Sequence, residues 1–401
     1  MVSALTRVFG IQNLALAEDV VQDALCRALT VWKLRGVPDN PAAWLMATAK
    51  NRALDALRRE RTARNFAPEL ARMLDSEWTL APAAHSLFEA APVEEDQLRM
   101  MFSCCQPKLP EEAQVALILH ILCGFSVAEI ASAFFATEAA IEKRLVRAKK
   151  VLASSKRLFE LSDEDFATRL SAVLRALYLL FNEGYHGAHA ASAVRVELCH
   201  DAMHLAALLR LNPLTATPAT YALCALMCLH AARLPARLDP SGELRGLFEQ
   251  DRALWDAALI DEGRRLLDQS AVGTELSEYH VEAGIAEVHA TARAAQDTNW
   301  TSIIELYDTL LVLRPSPVIA LNRALAVSQR FGPARGIDAI MAIDARERLA
   351  DYPFYHAALG ELELRRGQHA LARTHFRAAF ELARNPQERG FLEERIARCD
   401  V

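Results

Sequence analysis

Residues Leu109–Leu152 read LPEEAQVALILHILCGFSVAEIASAFFATEAAIEKRLVRAKKVL, and three helix signatures follow one another within this stretch. Pro110 opens a first helix, where a missing N–H costs nothing, and Gly124 ends it. Ser126 and Glu129 have the spacing of a capping box for a short second helix, with Val127, Ile130, Ala131 and Phe134 as its apolar stripe. After a turn at FFA, Thr137 caps a third helix. There Ile141, Leu145, Ala148 and Leu152 recur at helical spacing and face inward, while Glu138, Lys143, Arg144, Arg147, Lys149 and Lys150 face outward. A short helix, a tight turn and a basic second helix make a helix-turn-helix pattern, the geometry that sets a helix N-terminus into a DNA groove. An ordinary helical hairpin is the plainer reading of the same pattern.

Upstream, residues 1–65 also read as helices. LALAEDVVQDALCRALTVW (Leu14–Trp32) is amphipathic, with Leu16, Val20, Ala24 and Ala28 on one stripe. RGVPDNP (Arg35–Pro41) is a loop by its Gly, Pro, Asp and Asn content. Pro41 then opens AAWLMATAKNRALDALRRER (Ala42–Arg61). Its buried stripe is expected at Ala43, Met46, Ala47, Ala53, Leu54 and Leu57, and Asn51, Arg52, Asp55, Arg58 and Arg59 gather on the opposite face. A solvated helix face is the plain alternative for that charged set.

The charge pattern adds to this. The net charge of −6 conceals a first part, 1–157, with 20 basic and 18 acidic residues. Trp44–Asn65 holds six basic and two acidic residues, and Glu138–Arg157 holds seven and two. Between them Phe66–Asp96, interrupted by Pro68, Pro82 and Pro92, holds one basic and seven acidic residues and reads as a tether. Two basic helices joined by an acidic tether point to two nucleic-acid contacts made by one chain.

Downstream, Ser162 and Asp165 cap a long helix, and helical patterns continue to Val401. Gly360, Gly367, Ala372, Phe376 and Ala379 follow the tetratricopeptide spacing, and a looser copy is registered on Gly332, thirty-five residues before Gly367. Such helix pairs stack into a solenoid that offers a binding surface. With 15 Gly and 16 Pro in 401 residues and 52% apolar composition, the whole chain is expected to be all-α. No apolar run of about 18 residues is read from the sequence. The N-terminus lacks the pattern of a signal peptide. A cytoplasmic protein without a membrane partner is therefore expected.

Catalytic motifs are missing: there is no G-x-x-x-x-G-K-[ST], G-x-G-x-x-G, H-E-x-x-H or G-x-S-x-G. The one provocative cluster is Glu183, His186, His189, Cys199, His200 and His204, in which His200 and His204 have metal-ligand spacing on a helix. Satisfied or exposed histidines are the preferred reading, and no metal or cofactor is expected. The eight cysteines, including the neighbours Cys104 and Cys105, read as buried thiols. Trp32 and Trp44 lie near the basic helices, where rings can stack on bases, although Trp44 at a helix start reads as core or wedge.

Taken together, AEDVVQDALCRALTVW (Ala17–Trp32), NPAAWLMATAKNRALDALRRER (Asn40–Arg61) and the 109–152 stretch resemble the second and fourth regions of bacterial extracytoplasmic-function sigma factors. LYLLFNEGYHGA (Leu177–Ala188), EQDRALWDAALIDEGRRLL (Glu249–Leu267) and TNWTSIIELYDTLLVLRPSPVIALNRALAV (Thr298–Val327) resemble a subgroup with a large C-terminal helical extension. The resemblance implies region 2 at 1–65, an acidic linker at 66–95, region 4 at 96–157, a helical extension at 158–290 and tetratricopeptide-like repeats at 291–401.

It also implies roles. Asp19, Gln22 and Asp23 match the face that docks on core RNA polymerase. Asn51, Arg52, Asp55, Arg58 and Arg59 match the helix on the −10 element. The loop Lys33–Asn40, with Lys33 and Arg35, matches the loop that captures a flipped base, which needs a pocket and cations on phosphates. Thr137, Glu138, Ala139, Ala140 and Lys143 would face base edges at the −35 element, with Arg144 and Arg147 on bases or phosphates. The acidic linker matches a segment threaded toward the polymerase RNA path. Family members carry further residues ahead of the position matched by Met1. Subgroup members show Cys-Cys-His-Pro where this chain has Cys104, Cys105, Gln106 and Pro107.

The implied function is that of a non-enzymatic promoter-specificity subunit. Its partners would be core RNA polymerase, promoter DNA and a regulatory protein, or an intramolecular contact, at the extension. A helix-turn-helix regulator acting without polymerase and a tetratricopeptide scaffold are the alternatives from other classes. A palindromic site with dimeric binding favours the first of these.

Overall fold

The computed structural model describes residues 1–9, 13–63, 93–134, 136–154, 161–187 and 192–400. The expected linker lies outside the described residues up to position 92. Among the described residues every regular element is helical, and the only β feature is one isolated bridge between Leu238 and Leu244. The chain packs as two units, Met1–Ala176 and Leu177–Val401.

In the first unit α1 (Val2–Phe9), α2 (Leu14–Arg35) and α3 (Pro41–Ala63) close around Leu5, Ala17, Val20, Val21, Ala24, Ala49 and Ala53. The buried stripe of α3 thus runs through Ala49 and Ala53, with Leu45 and Met46 packed against it. Ala43 and Ala47, expected inside, are exposed. A helix with alanines all around its circumference has a weak apolar bias, so its neighbours decide which face is buried.

Next come α4 (Val93–Cys104), α5 (Glu111–Ile121), α6 (Val127–Ala133) and α7 (Glu138–Ala153). The capping box of α6 is complete: Glu129 N donates to Ser126 Oγ at 3.2 Å, and Ser126 N donates to Glu129 Oε2 at 2.7 Å. Ile141, Leu145, Ala148 and Leu152 of α7 are all buried, as their spacing requires. Cys104 and Cys105 lie wholly inside, whereas Cys26 is exposed on α2.

Helix α8 (Asp163–His186) contains the division between the units. Its first half packs on α4, with Phe166 edge-on to Phe102 at 4.8 Å and Arg169 Nη1 donating to the Phe102 carbonyl at 3.1 Å. In the second unit α9 (Val196–Leu211) leads to α10 (Pro218–Ala231), ten of whose side chains are buried. The stretch Pro218–Ala236 is long and apolar enough by composition to cross a membrane, contrary to the sequence reading. Its apolarity is accounted for by packing, because α11 (Ala257–Ser270), α12 (Glu278–Thr291) and α9 surround it.

The chain then alternates helices: α13 (Trp300–Leu313), α14 (Pro317–Phe331), α15 (Pro333–Met341), α16 (Pro353–Arg365), α17 (His369–Glu381) and α18 (Pro386–Ala397). Gly332 (φ 94°) and Gly367 (φ 75°) make the turns of the hairpins α14–α15 and α16–α17 in left-handed conformations open to glycine. Between α16 and α17 a Cβ on Gly360 would stand 2.8 Å from the Phe376 ring. The segment between α10 and α11 lies along the face shared by these helices. Leu247 and Phe248 line a cavity of about 320 Å³ together with Trp300, Asn322, Leu325 and Leu362, the Phe248 ring stands 5.9 Å from that of Trp300, and Glu249 accepts from Arg395 Nη2 at 2.6 Å.

Two interior histidines make this unit acid-sensitive. Burial, reinforced by the Arg233 guanidinium, lowers His230 to about 3 and His289 to about 4. An unfolded chain protonates both near 6.5. Below that pH the unfolded state binds more protons, so stability that is complete above about 6.5 is lost as pH falls toward 4. The unfolding free energy obtained from denaturant titrations between pH 7 and pH 4 should fall by up to about 1.4 kcal/mol per pH unit for each histidine. A flat profile contradicts this.

Candidate nucleic-acid interface

Helix α7 presents its N-terminus by local chemistry alone. Thr137 Oγ1 accepts from Ala140 N at 3.3 Å, fixing the first turn. Thr137, Glu138, Ala139 and Ala140 are exposed, and so are Lys143 and Arg147 on the same helix. The face is open, begins at a helix N-terminus and carries cations one turn apart. Those are the requirements for reading base edges while gripping phosphates.

Arg144, expected to face DNA, is half-buried and already engaged by a neighbouring helix. Its Nη2 lies 2.9 Å from Glu112 Oε2 on α5, and its guanidinium stands 5.7 Å from the Phe134 ring centre. It braces α7 against the preceding helices. Lys149, further along, reaches α2: its Nζ is 2.9 Å from both carboxylate oxygens of Glu18. Both partners come from other helices, so helical periodicity alone could not reveal them.

On α3, Asn51, Arg52 and Asp55 are exposed together. The side chains of Arg58 and Arg59 lie outside the described residues. On α2, Asp19, Gln22 and Asp23 are exposed on one stretch. Asp23 forms an ion pair with Arg52, which ties the two expected functional faces together. Gln22 also lines a cleft of about 620 Å³ with Met1, Leu25, Phe125 and Lys149.

Lys33 and Arg35 belong to the last turn of α2 and not to a loop, since the helix runs through Arg35 and stops at Gly36 (φ 80°). Cations at a helix C-terminus are favoured by its dipole, and this carries the helix past the expected boundary. The loop proper is 36–40. Asn40 Oδ1 accepts from Ala43 N at 3.0 Å and so caps α3, a signal readable from Asn40 standing before Pro41. Trp32 and Trp44 bracket the loop edge-to-face at 5.5 Å, engaged with each other, while Leu34 and Val37 stand exposed beside them.

The histidine cluster does not converge. Glu183 is bound to Arg195 at 2.9 Å, and His200 and His204 are exposed on α9. The Cys199 thiol is pushed up to about 12 by burial, and His189 lies outside the described residues. Among the described residues no three His, Cys, Asp or Glu side chains are placed to hold a metal. Burial likewise pushes the Cys104 thiol up and that of Cys105 up to about 12, which suits packing and not reactivity.

Comparison with known proteins agrees with this layout. Residues 2–63 match sigma-70 region 2, residues 99–152 match sigma-70 region 4, and residues 169–271 match a family of unknown function, DUF6596. The chain is similar to an uncharacterized protein of Rhizobium meliloti, with 39% identity over 397 residues covering 98% of this chain and 92% of that one. No solved structure matches the chain.

Proposed function

The chain belongs to the extracytoplasmic-function sigma factors that carry a C-terminal helical extension, and from that premise we propose that it binds core RNA polymerase and directs it to −35/−10 promoters. It carries the promoter-recognition modules of a transcription initiation subunit, which is not an enzyme. We assign Thr137–Ala140, Lys143 and Arg147 to the −35 element, Asn51, Arg52, Asp55, Arg58 and Arg59 with Lys33 and Arg35 to the −10 element, and Asp19, Gln22 and Asp23 to polymerase. The observation that carries it is the exposed, capped N-terminus of α7 with its cations clear of the core. Such a subunit works in the cytoplasm, beside the polymerase.

Run-off transcription with purified core polymerase tests the reading, using upstream DNA that includes the protein's own promoter region. Polymerase-dependent initiation at a defined start supports it. Tight sequence-specific binding by the protein alone, insensitive to polymerase, favours an independent helix-turn-helix regulator instead.

The Lys149–Glu18 contact supports weak promoter binding by the free protein. Elements named −35 and −10 lie about 25 base pairs apart, about 85 Å along the duplex at ~3.4 Å per pair. Helices α7 and α2 measure about 24 and 33 Å, so two modules joined at this contact cannot reach both elements together. Glu18→Gln is therefore expected to raise promoter-duplex affinity of the free protein about 2–5-fold, the worth of one partly exposed ion pair. Unchanged affinity in a gel-shift titration removes this restraint from the account.

We assign the extension a regulatory role on the first unit or on polymerase. A chain ending at Ala176 retains α1–α7 and the first half of α8, the part that packs on α4. Its transcript yield should differ from that of the full chain, and equal yields remove the regulatory role.

A further inference from the structure

Within the second unit a cavity of about 470 Å³ opens between the end of α8, the segment after α10, and helices α14, α16 and α18. Its apolar wall includes Leu244, Leu247, Phe354 and Phe391. Its polar groups divide sharply by partner. Arg245 is held by Asp239, and Glu388 is clamped by Arg384, whose Nη2 donates to its Oε1 at 2.6 Å. These charges are balanced locally.

Arg233 and Arg237 are not. They stand four residues apart on the wall of the cavity, and among the described residues neither has a carboxylate partner. Arg233 Nε donates to Gln250 Oε1 at 3.2 Å, and its guanidinium faces the rings of Trp255 at 5.3 Å and Tyr185 at 6.0 Å. Arg237 is only 9% exposed. Its Nη2 meets His186 Nδ1 at 2.8 Å, its guanidinium lies 4.3 Å from the Tyr185 ring centre, and its Nε has no hydrogen-bond partner. His186 Nε2 is also without a hydrogen bond and lies 3.7 Å from Glu388 Oε1. The neighbouring His230 is held neutral by burial and by these two cations, so it supplies no counter-charge.

A buried cation without an anion is costly, and proteins retain it where an anion is supplied from outside. The guanidinium fork matches planar and tetrahedral oxyanions. An apolar wall with a few convergent polar groups is the form of a small-molecule site. We propose that this cavity binds a small amphipathic organic anion, its oxyanion head on Arg237 and Arg233 and its apolar body against Leu247, Phe354 and Phe391. The second unit thereby becomes a receptor for a dissolved signal. The assignment uses only this unit and is independent of the promoter reading.

The test is fluorescence titration of the full chain with anilinonaphthalene sulfonate, an aromatic anion, against N-phenyl-1-naphthylamine, its neutral counterpart. No DNA or polymerase is present, so failure here is separate from failure in transcription. The native chain should bind the sulfonate at least tenfold more tightly than the amine. Arg237→Met should lose that preference while unfolding at the same temperature or higher, because an unbalanced buried charge has been removed. Ala357→Leu, which narrows the cavity without touching a charge, should weaken both probes. Competition by inorganic phosphate or by octanoate then identifies the head group. Equal binding of the two probes to the native chain, an Arg237→Met variant that binds the sulfonate unchanged, or one that is destabilised with binding intact each overturns the proposal and leaves Arg237 a packing residue.

Discussion

Replacing Lys143 and Arg147 together by glutamate is expected to lower polymerase-dependent transcription from a cognate promoter at least 100-fold. The two positions lie one helical turn apart on the open face of α7, and the buried residues Ile141, Leu145 and Ala148 are untouched. Each cation contacting phosphate or base contributes about 1–3 kcal/mol, and reversal adds repulsion from the duplex. Two such losses amount to about 2–6 kcal/mol, the added repulsion carries the total past about 3 kcal/mol, and every 1.4 kcal/mol is tenfold. Transcript yield is the measurement, with core-polymerase binding by the variant followed in parallel and expected to hold. A yield within threefold of native would move the DNA-reading face away from α7. Arg144→Ala should behave differently: its loss breaks the brace to Glu112 and Phe134, so its principal cost falls on stability.

Phe376→Ala is expected to cost the second unit about 3–5 kcal/mol, the range for removing a fully buried aromatic side chain. Phe376 is 1% exposed, and its ring fills the space that glycine at position 360 leaves open. The gap cannot close easily, because α16 and α17 are already in contact around it and Ala372 and Ala379 have nothing to extend into it. Urea unfolding followed through Trp255 and Trp300 reads the loss directly. Phe331→Ala makes the control: that ring is 61% exposed, so its removal should shift stability by less than about 0.5 kcal/mol. Similar losses for the two variants would mean that the helix pair is not packed around Phe376.

Local rules carried much of this structure. The Ser126–Glu129 capping box, the Thr137 cap and the four inward positions of α7 depend on neighbours within one or two turns, and all are present. The glycines that turn the hairpins were marked by their spacing of thirty-five residues. Less was legible where a side chain meets a distant element. Asp23 with Arg52, Glu112 with Arg144 and Glu18 with Lys149 join separate helices, and each removes or restrains a group that a helical wheel places in solvent. The inward face of α3 was misplaced by two alanines because alanine is nearly neutral about burial. The arginine-lined cavity draws its walls from residues between His186 and Leu392, so no single stretch announces it.

The segment that carries Leu247, Phe248 and Glu249 has a consequence for any macromolecule that would visit the extension. A stack of helix pairs ordinarily keeps a vacant seat for a visiting peptide. Here the chain itself lies against that seat, with the Phe248 ring 5.9 Å from that of Trp300 and Glu249 bound to Arg395. A visitor must first evict the occupant, and its apparent affinity is its intrinsic affinity scaled by the fraction of molecules in which the seat stands empty. With one molecule in about a hundred open, a nanomolar peptide would read as roughly a tenth of a micromolar. The extension would then answer only to visitors that are abundant, or to whatever loosens the segment first.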